Sequence, residues 1–163
     1  MVPIDTETLK PVCDPFHYYI KPTVCPEITE FCTELTGIEQ GTVDKGITIE
    51  EALKRLYEWR EEHGFTAENS TYVTCGAWDL KTCLRMEAEY KKLSYQGGLD
   101  KFINIKDIWM QLMFKNKATG MPGMLTSLDL DLDGKHHSGI DDSKNIAKIA
   151  IELIKKGGTF TQF

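Results

Sequence analysis

No apolar run in the sequence approaches the roughly 20 residues that a helical membrane span needs, and the opening MVPIDTETLK has no charged region followed by an apolar stretch. Neither a membrane partner nor a secretory leader is expected, and an intracellular place, cytoplasm or nucleus, is. Basic charge is also short. The 19 Lys and Arg face 25 Asp and Glu, a net charge of −6, so nothing draws nucleic acid or anionic lipid to the surface as a whole. Any nucleic-acid contact must be local or carried by metal ions. None of the five cysteines (Cys13, Cys25, Cys32, Cys75 and Cys83) stands in a C-x-x-C pair, and their number is odd. That pattern excludes a disulfide framework and a Cys/His zinc site with paired short spacings, and favours buried free thiols in a reducing compartment. Internal repeats and Pro- or Ser-rich linkers are absent too, so 163 residues at 41% apolar and 27% charged read as one domain with a real core.

What is present is a mixture of strand and helix signals. Phe16-His17-Tyr18-Tyr19-Ile20 is aromatic and β-prone and ends at Lys21-Pro22. Its expected partner is Val2 to Ile4, joined through a hairpin connection over Asp5 to Pro15, which holds two prolines and several turn formers. A helix is predicted from Pro26 through Cys32, with Pro in the first turn and acidic residues early, stopping at Thr36-Gly37. The clearest helix runs from Ile49 to His63. There Thr48 and Glu51 form a capping box, Ile49, Ala52, Leu53, Leu56 and Tyr57 make one apolar stripe, and Gly64 closes the element. Tyr72-Val73-Thr74-Cys75 reads as a strand, Gly76 to Asp79 as a turn, and Leu80 to Lys92 as a helix, the α/β crossover order. Phe102 to Phe114 reads as helical or mixed and Asn116 to Gly123 as loop. The last element, Asp142 to Lys156, is an amphipathic helix through Ile146, Ile149, Ala150, Leu153 and Ile154 that ends at Gly157-Gly158.

Three groups of residues stand out for chemistry. Trp78-Asp79 lies at a strand-to-helix turn, where open α/β sheets place their ligands. His136-His137 precedes a glycine, and Asp141-Asp142 opens the last helix. Read alone, either aspartate is equally well explained as a simple N-terminal cap. Phe31 and Trp78 can be plain core, and a histidine before a helix is often only a hydrogen-bonded surface group.

Taken together, three segments resemble the DEDDh family of 3′-to-5′ exonucleases: Glu30-Phe31-Cys32-Thr33-Glu34-Leu35-Thr36-Gly37-Ile38, Gly76-Ala77-Trp78-Asp79-Leu80, and His136-His137-Ser138-Gly139-Ile140-Asp141-Asp142-Ser143-Lys144-Asn145-Ile146-Ala147. The resemblance is closest to the eukaryotic branch that trims histone-mRNA ends, 5.8S ribosomal RNA and small interfering RNAs, and it spans Val2 to Phe160. It implies a ribonuclease-H-like α/β fold, a mixed sheet with helices on both faces. It also implies that Asp79 and Asp142 are catalytic metal-binding carboxylates, that His137 is the general base, and that His136 is structural. Phe31 and Trp78 match positions that contact the terminal base, and Leu35, Thr36 and Gly37 match the loop around the 3′ nucleotide. The implied cofactor is Mg2+ or Mn2+ in a two-metal site, with ions about 4 Å apart at the scissile phosphate, and the implied partner is the 3′ end of single-stranded RNA. Bound cations would let an acidic protein hold a phosphodiester without a basic surface.

The family's first motif, D-F-E-A-T on the first strand, has only a partial copy here, Asp5-Thr6-Glu7-Thr8. In the family two further strands separate that motif from the Y-I-K-P segment, whereas only Leu9 to Pro15 lies between Thr8 and Phe16. Asp5 to Thr8 is therefore expected to be a turn, and the chain, residues 1–163, a single exonuclease-like domain incomplete at its N-terminus, lacking the first strand. Such a domain would present an unpaired sheet edge suited to self-association. The rival reading is a non-catalytic RNA- or partner-binding module that keeps the nucleotide pocket, and a weaker one is a scaffold that touches no nucleic acid.

Overall fold

In a computed structural model that describes residues 1–95 and 98–160, the early helices are α1 (Glu30–Thr36), α2 (Gln40–Asp44) and α3 (Ile49–Glu62). Strand β1 (Tyr72–Thr74) leads into a π-helical turn (Trp78–Leu84) that continues directly as α4 (Arg85–Lys91). Strand β2 (Phe102–Asn104) then passes without a break into α5 (Ile105–Leu112), followed by α6 (Met121–Ser127) and α7 (Gly139–Lys155).

Half of the expected capping box starts α3: Thr48 Oγ1 accepts from the Glu51 N–H at 3.3 Å, while the Glu51 carboxylate pairs with Arg55 at 2.7 Å, and Ala52, Leu53 and Leu56 turn inward. Leu53 and Leu56 pack with Leu99, with Phe16, Tyr57, Trp59 and Tyr72 around them. The crossover order is also realised. β1 and β2 pair in parallel, Tyr72 with Phe102, Val73 with Ile103 and Thr74 with Asn104, and the connection between them carries the π-turn and α4. Asn104 ties the end of this pair together, because its Oδ1 accepts from the Gly76 N–H at 2.9 Å and from the Lys106 N–H at 3.3 Å. The stretch read as helical or mixed is thus a short strand whose last residue caps the next helix.

The main core lies where α5, α6 and α7 meet. Ile105, Ile108, Trp109, Met121, Met124, Leu125, Leu128, Ile149 and Leu153 form one buried cluster, and the Trp109 indole N–H reaches Ser127 Oγ at 2.9 Å. Helix α6 enters the stretch expected to be loop. Gly120, Pro122 and Gly123 signal a break, yet proline within the first turn of a helix costs no intrahelical bond, and the buried Met121, Met124 and Leu125 anchor the element.

Two boundaries shift for local reasons. α1 begins four residues after Pro26 because Thr29 is the cap, its Oγ1 accepting from Cys32 N–H at 3.2 Å. The N-terminal hairpin forms with a different partner: Val12 N–H bonds to Pro3 O at 3.1 Å and Asp5 N–H to Lys10 O at 2.9 Å, so Val2 to Ile4 lies against Lys10 to Val12. Phe16 meets Met1 alone, at 3.0 Å through its N–H and 2.6 Å through its carbonyl. The strand expected over Phe16 to Ile20 does not form: residues 16–19 have no regular secondary structure, and Ile20 alone bridges Ile47 in parallel. Pro11 and Pro15 withhold two N–H donors from the ladder.

Candidate active site

The segment before α7 is shaped by hydrogen bonds to that helix. Asn145 is wholly buried. Its amide donates to the carbonyls of Asp133 and Asp141, both at 2.8 Å, and its Oδ1 accepts from Asp133 N–H at 2.9 Å. Lys148 Nζ adds bonds to Asp131 O at 2.6 Å and to the Asp133 carboxylate at 2.9 Å. Gly134 is left-handed at φ +73, and a Cβ there would collide with the Asp141 carboxyl group. Asp141 Oδ2 in turn accepts from the Lys135 N–H at 3.1 Å. That bond, with a smaller contribution from the Ser138 side chain, holds the Asp141 carboxyl below its ordinary pKa. Neither aspartate caps this helix start, where Ser138 is the N-cap without a side-chain bond; Asp141 ties the first turn back to the loop at Lys135.

Asp142 is thereby left to face the histidines. Its Oδ1 lies 3.0 Å from His136 Nδ1, and its two oxygens lie 3.3 and 3.2 Å from the His137 N–H. His137 sits at φ +72 without being glycine. Neighbouring side chains usually diverge, but here the two imidazoles stack with centroids 3.9 Å apart and planes 24° apart. Donor atoms of His136, His137 and Asp142 all lie within 4.8 Å of one another. His136, expected to be structural, is thus a direct partner of Asp142; the signal was its adjacency to His137.

Asp79 comes from the other end of the site, in the first turn of the π-helical segment after β1, where its side chain is exposed. The nearby Cys75 thiol is sensitive to both carboxylates. Burial raises its pKa most, Lys106 draws it back, and Asp79 and Asp142 each push it up again. Cys75 thus lies within electrostatic reach of both the turn after β1 and the start of α7. Lys106 belongs there as well, since a Cβ on Gly76, which is left-handed at φ +110, would stand 3.7 Å from its Nζ. Trp78, beside Asp79, is 68% exposed, and Phe31 on α1 is 67% exposed. Neither is core.

Leu35, Thr36 and Gly37 form the C-terminal end of α1. Gly37 closes it in the left-handed conformation, its N–H donating to Thr33 O at 2.8 Å, while Thr36 Oγ1 donates back to Cys32 O at 2.7 Å and accepts from Ile38 N–H at 3.1 Å. Lys135 joins this end to the histidine segment: its Nζ donates to Glu34 O at 2.9 Å, and a Cβ on Gly37 would come within 3.1 Å of that ammonium. The turn expected to contain the residues nucleotides would press against is therefore linked, two residues upstream of His137, to the histidine segment. Lys135 and Asn145 were not singled out by sequence; both lie within or beside the HHSGIDDSKN run.

Carboxylates such as Asp79 and Asp142 are the donor type a hard divalent ion takes, but among the described residues the group whose ligand atoms lie together is His136, His137 and Asp142, without Asp79. Asp5 offers no such site. Its Oδ1 accepts from Glu7 N–H at 3.0 Å, Thr8 N–H at 2.6 Å and Thr8 Oγ1 at 2.8 Å, so it is committed to a turn, as the spacing argument expects.

The chain is similar to known proteins over most of its length. The exonuclease (RNase T) family model matches residues 1–150. ERI1 exoribonuclease 3 of Homo sapiens is 40% identical over 149 residues, which cover 90% of this chain and 44% of that protein. The 3′-5′ exoribonuclease 1 of Homo sapiens is 34% identical over 160 residues, covering 96% of this chain and 45% of that protein. The chain thus spans less than half the length of these relatives. Among solved structures, the nuclease domain of 3′hExo, a DEDDh family member bound to rAMP, superposes with a TM-score of 0.91 at 30% identity over 99% of this chain and 82% of that one. The fold is therefore ribonuclease-H-like, with a parallel strand pair as its sheet among the described residues.

Proposed function

This chain belongs to the RNase T exonuclease family, and on that premise we propose that it is the catalytic domain of a divalent-metal-dependent 3′-to-5′ exonuclease acting on single-stranded RNA ends. The observation that carries the reading is the convergence of Asp142, His137 and His136 in one cluster, with Asp79 exposed in the turn after β1. Asp79 and Asp142 would hold Mg2+ or Mn2+ in the two-metal site. When bound, such ions supply neutralisation of the scissile phosphate.

The chain's own groups do the rest. His137, whose backbone is fixed by Asp142, offers an exposed imidazole nitrogen to take a proton from the attacking water. The exposed rings of Phe31 and Trp78 offer stacking surfaces for the terminal base, a contact indifferent to sequence. Leu35, Thr36 and Gly37, held to Lys135, wall the 3′ nucleotide. Recognition rests on backbone and terminal base, so no particular RNA is specified. Five free cysteines support a reducing compartment, cytoplasm or nucleus, and no described helix is long and apolar enough to cross a membrane. The aromatic run at residues 16–19, largely exposed and leading into the isolated Ile20–Ile47 bridge, supports self-association through an exposed edge.

The commitment of Asp5 to its turn supports a first-motif carboxylate pair lying outside these 163 residues. The domain as it stands would then hold one ion weakly and trim little. The test is 3′-end trimming of a labelled single-stranded RNA in Mg2+. A longer form carrying a D-x-E strand ahead of Val2 should trim, and Asp142→Ala should stop it. Failure of that form to trim would favour the non-catalytic binding module, and robust Asp142-dependent trimming by the 163-residue chain would return Asp5 and Glu7 to the ligand set.

A further inference from the structure

We propose that His136, His137 and Asp142 form a three-ligand Zn2+ site, with water in the fourth position, and that zinc there competes with the hard cation for Asp142. The site stands on geometry alone; its inhibitory consequence rests on the exonuclease reading.

Zinc bound by imidazole and carboxylate has bonds of about 2.0–2.2 Å, so ligand atoms in a tetrahedral site stand roughly 3.3 Å apart. His136 Nδ1 and Asp142 Oδ1 are already 3.0 Å apart. The donor atoms of all three residues lie within 4.8 Å of one another, and the widest of these separations has to close by about 1 Å or a little more, since two ligands of one such ion are at most about 4 Å apart. The exposed ring of His137 can make that change by rotating about its own side-chain bonds. Adjacent histidines lack the sequence spacing of ordinary zinc sites, but the left-handed backbone at His137, φ +72, sets both rings on the same side.

The donor set also selects the metal. Two imidazoles and one carboxylate suit Zn2+, whereas Mg2+ prefers six oxygens and keeps several waters. Occupation by zinc would take up Asp142 as a ligand and His137 as a base at once. Magnesium and zinc would therefore exclude one another at Asp142.

The experiment is a titration of the purified 163-residue chain with Zn2+ against a chromogenic zinc chelator, repeated with His136→Ala and His137→Ala, and with Co2+ as a spectroscopic stand-in. The expected result is one Zn2+ per chain, an affinity lowered at least about tenfold in each variant, and a Co2+ spectrum free of thiolate charge transfer. Melting curves in EDTA identify any variant that is merely unfolded, and His136→Asn replaces His136→Ala in that case. No stoichiometric binding, unchanged affinity in both histidine variants, or a thiolate band tracing the metal to the cysteines would overturn the proposal. None of these readouts requires nuclease activity, so this proposal and the exonuclease reading can fail separately.

Discussion

At the scale of single residues, the two aspartates that open α7 divide their work, and the division has measurable consequences. Asp141 is held below the ordinary carboxylate range by the Lys135 N–H. A depressed folded-state pKa contributes stability that is present above the unfolded value, about 3.9, and lost as pH falls through the folded one. Asp141→Asn should therefore flatten the acid limb of melting temperature against pH below about pH 4, and an unchanged limb would remove this residue from the account. His137→Ala, in the longer form that trims RNA, should lower kcat by about 10²-fold or more with 3′-end binding nearly intact; an equal loss of binding would make His137 structural. Trp78→Ala should weaken binding of a 3′-terminal nucleotide by roughly 1–3 kcal/mol. With 68% of the residue exposed, its removal should leave the melting temperature nearly unchanged, and a large fall would show that the indole is held in the core.

At the scale of elements, α7 is both the wall of the core and the mount of the site. Ile149 and Leu153 are completely buried on one face, and Asn145, one turn earlier, pins the Asp133 backbone. Leu153→Ala should cost about 2–5 kcal/mol by chemical denaturation. Asn145→Ala removes the hydrogen bonds of the buried amide to the Asp133 and Asp141 backbone, at about 0.5–1.5 kcal/mol each, and should also broaden the NMR signals of the His136 and His137 rings; sharp, unshifted signals would show that the loop holds its shape without Asn145. α3 and α7 were legible because their apolar spacing and end signals agree with their packing. α6 was not, because Gly120, Pro122 and Gly123 mimic a loop while burial of Met121, Met124 and Leu125 decides the matter. The π-helical turn at Trp78–Leu84 was also hidden, since composition suits it to any helix and only the hydrogen-bond register distinguishes it.

At the scale of the whole molecule, the tension is between a net charge of −6 and the polyanionic ligand proposed for it. The motifs singled out His137 and Asp142, whose ligand atoms lie in one cluster, and Asp79, which stands in the turn after β1. They did not show the role of His136 or the Lys135 link to α1, because those depend on a positive backbone angle and on a contact between residues 101 positions apart. If cations bridge the acidic site to the nucleotide, affinity must follow the metal. The most direct test is titration of the chain with a nucleoside 5′-monophosphate in Mn2+ and in EDTA, for the unaltered protein and for Asp79→Asn and Asp142→Asn. Binding that requires Mn2+ and falls at least tenfold with either substitution is the predicted result, each carboxylate being needed to hold the ion. Equal affinity in EDTA and in Mn2+, untouched by either substitution, would contradict the account.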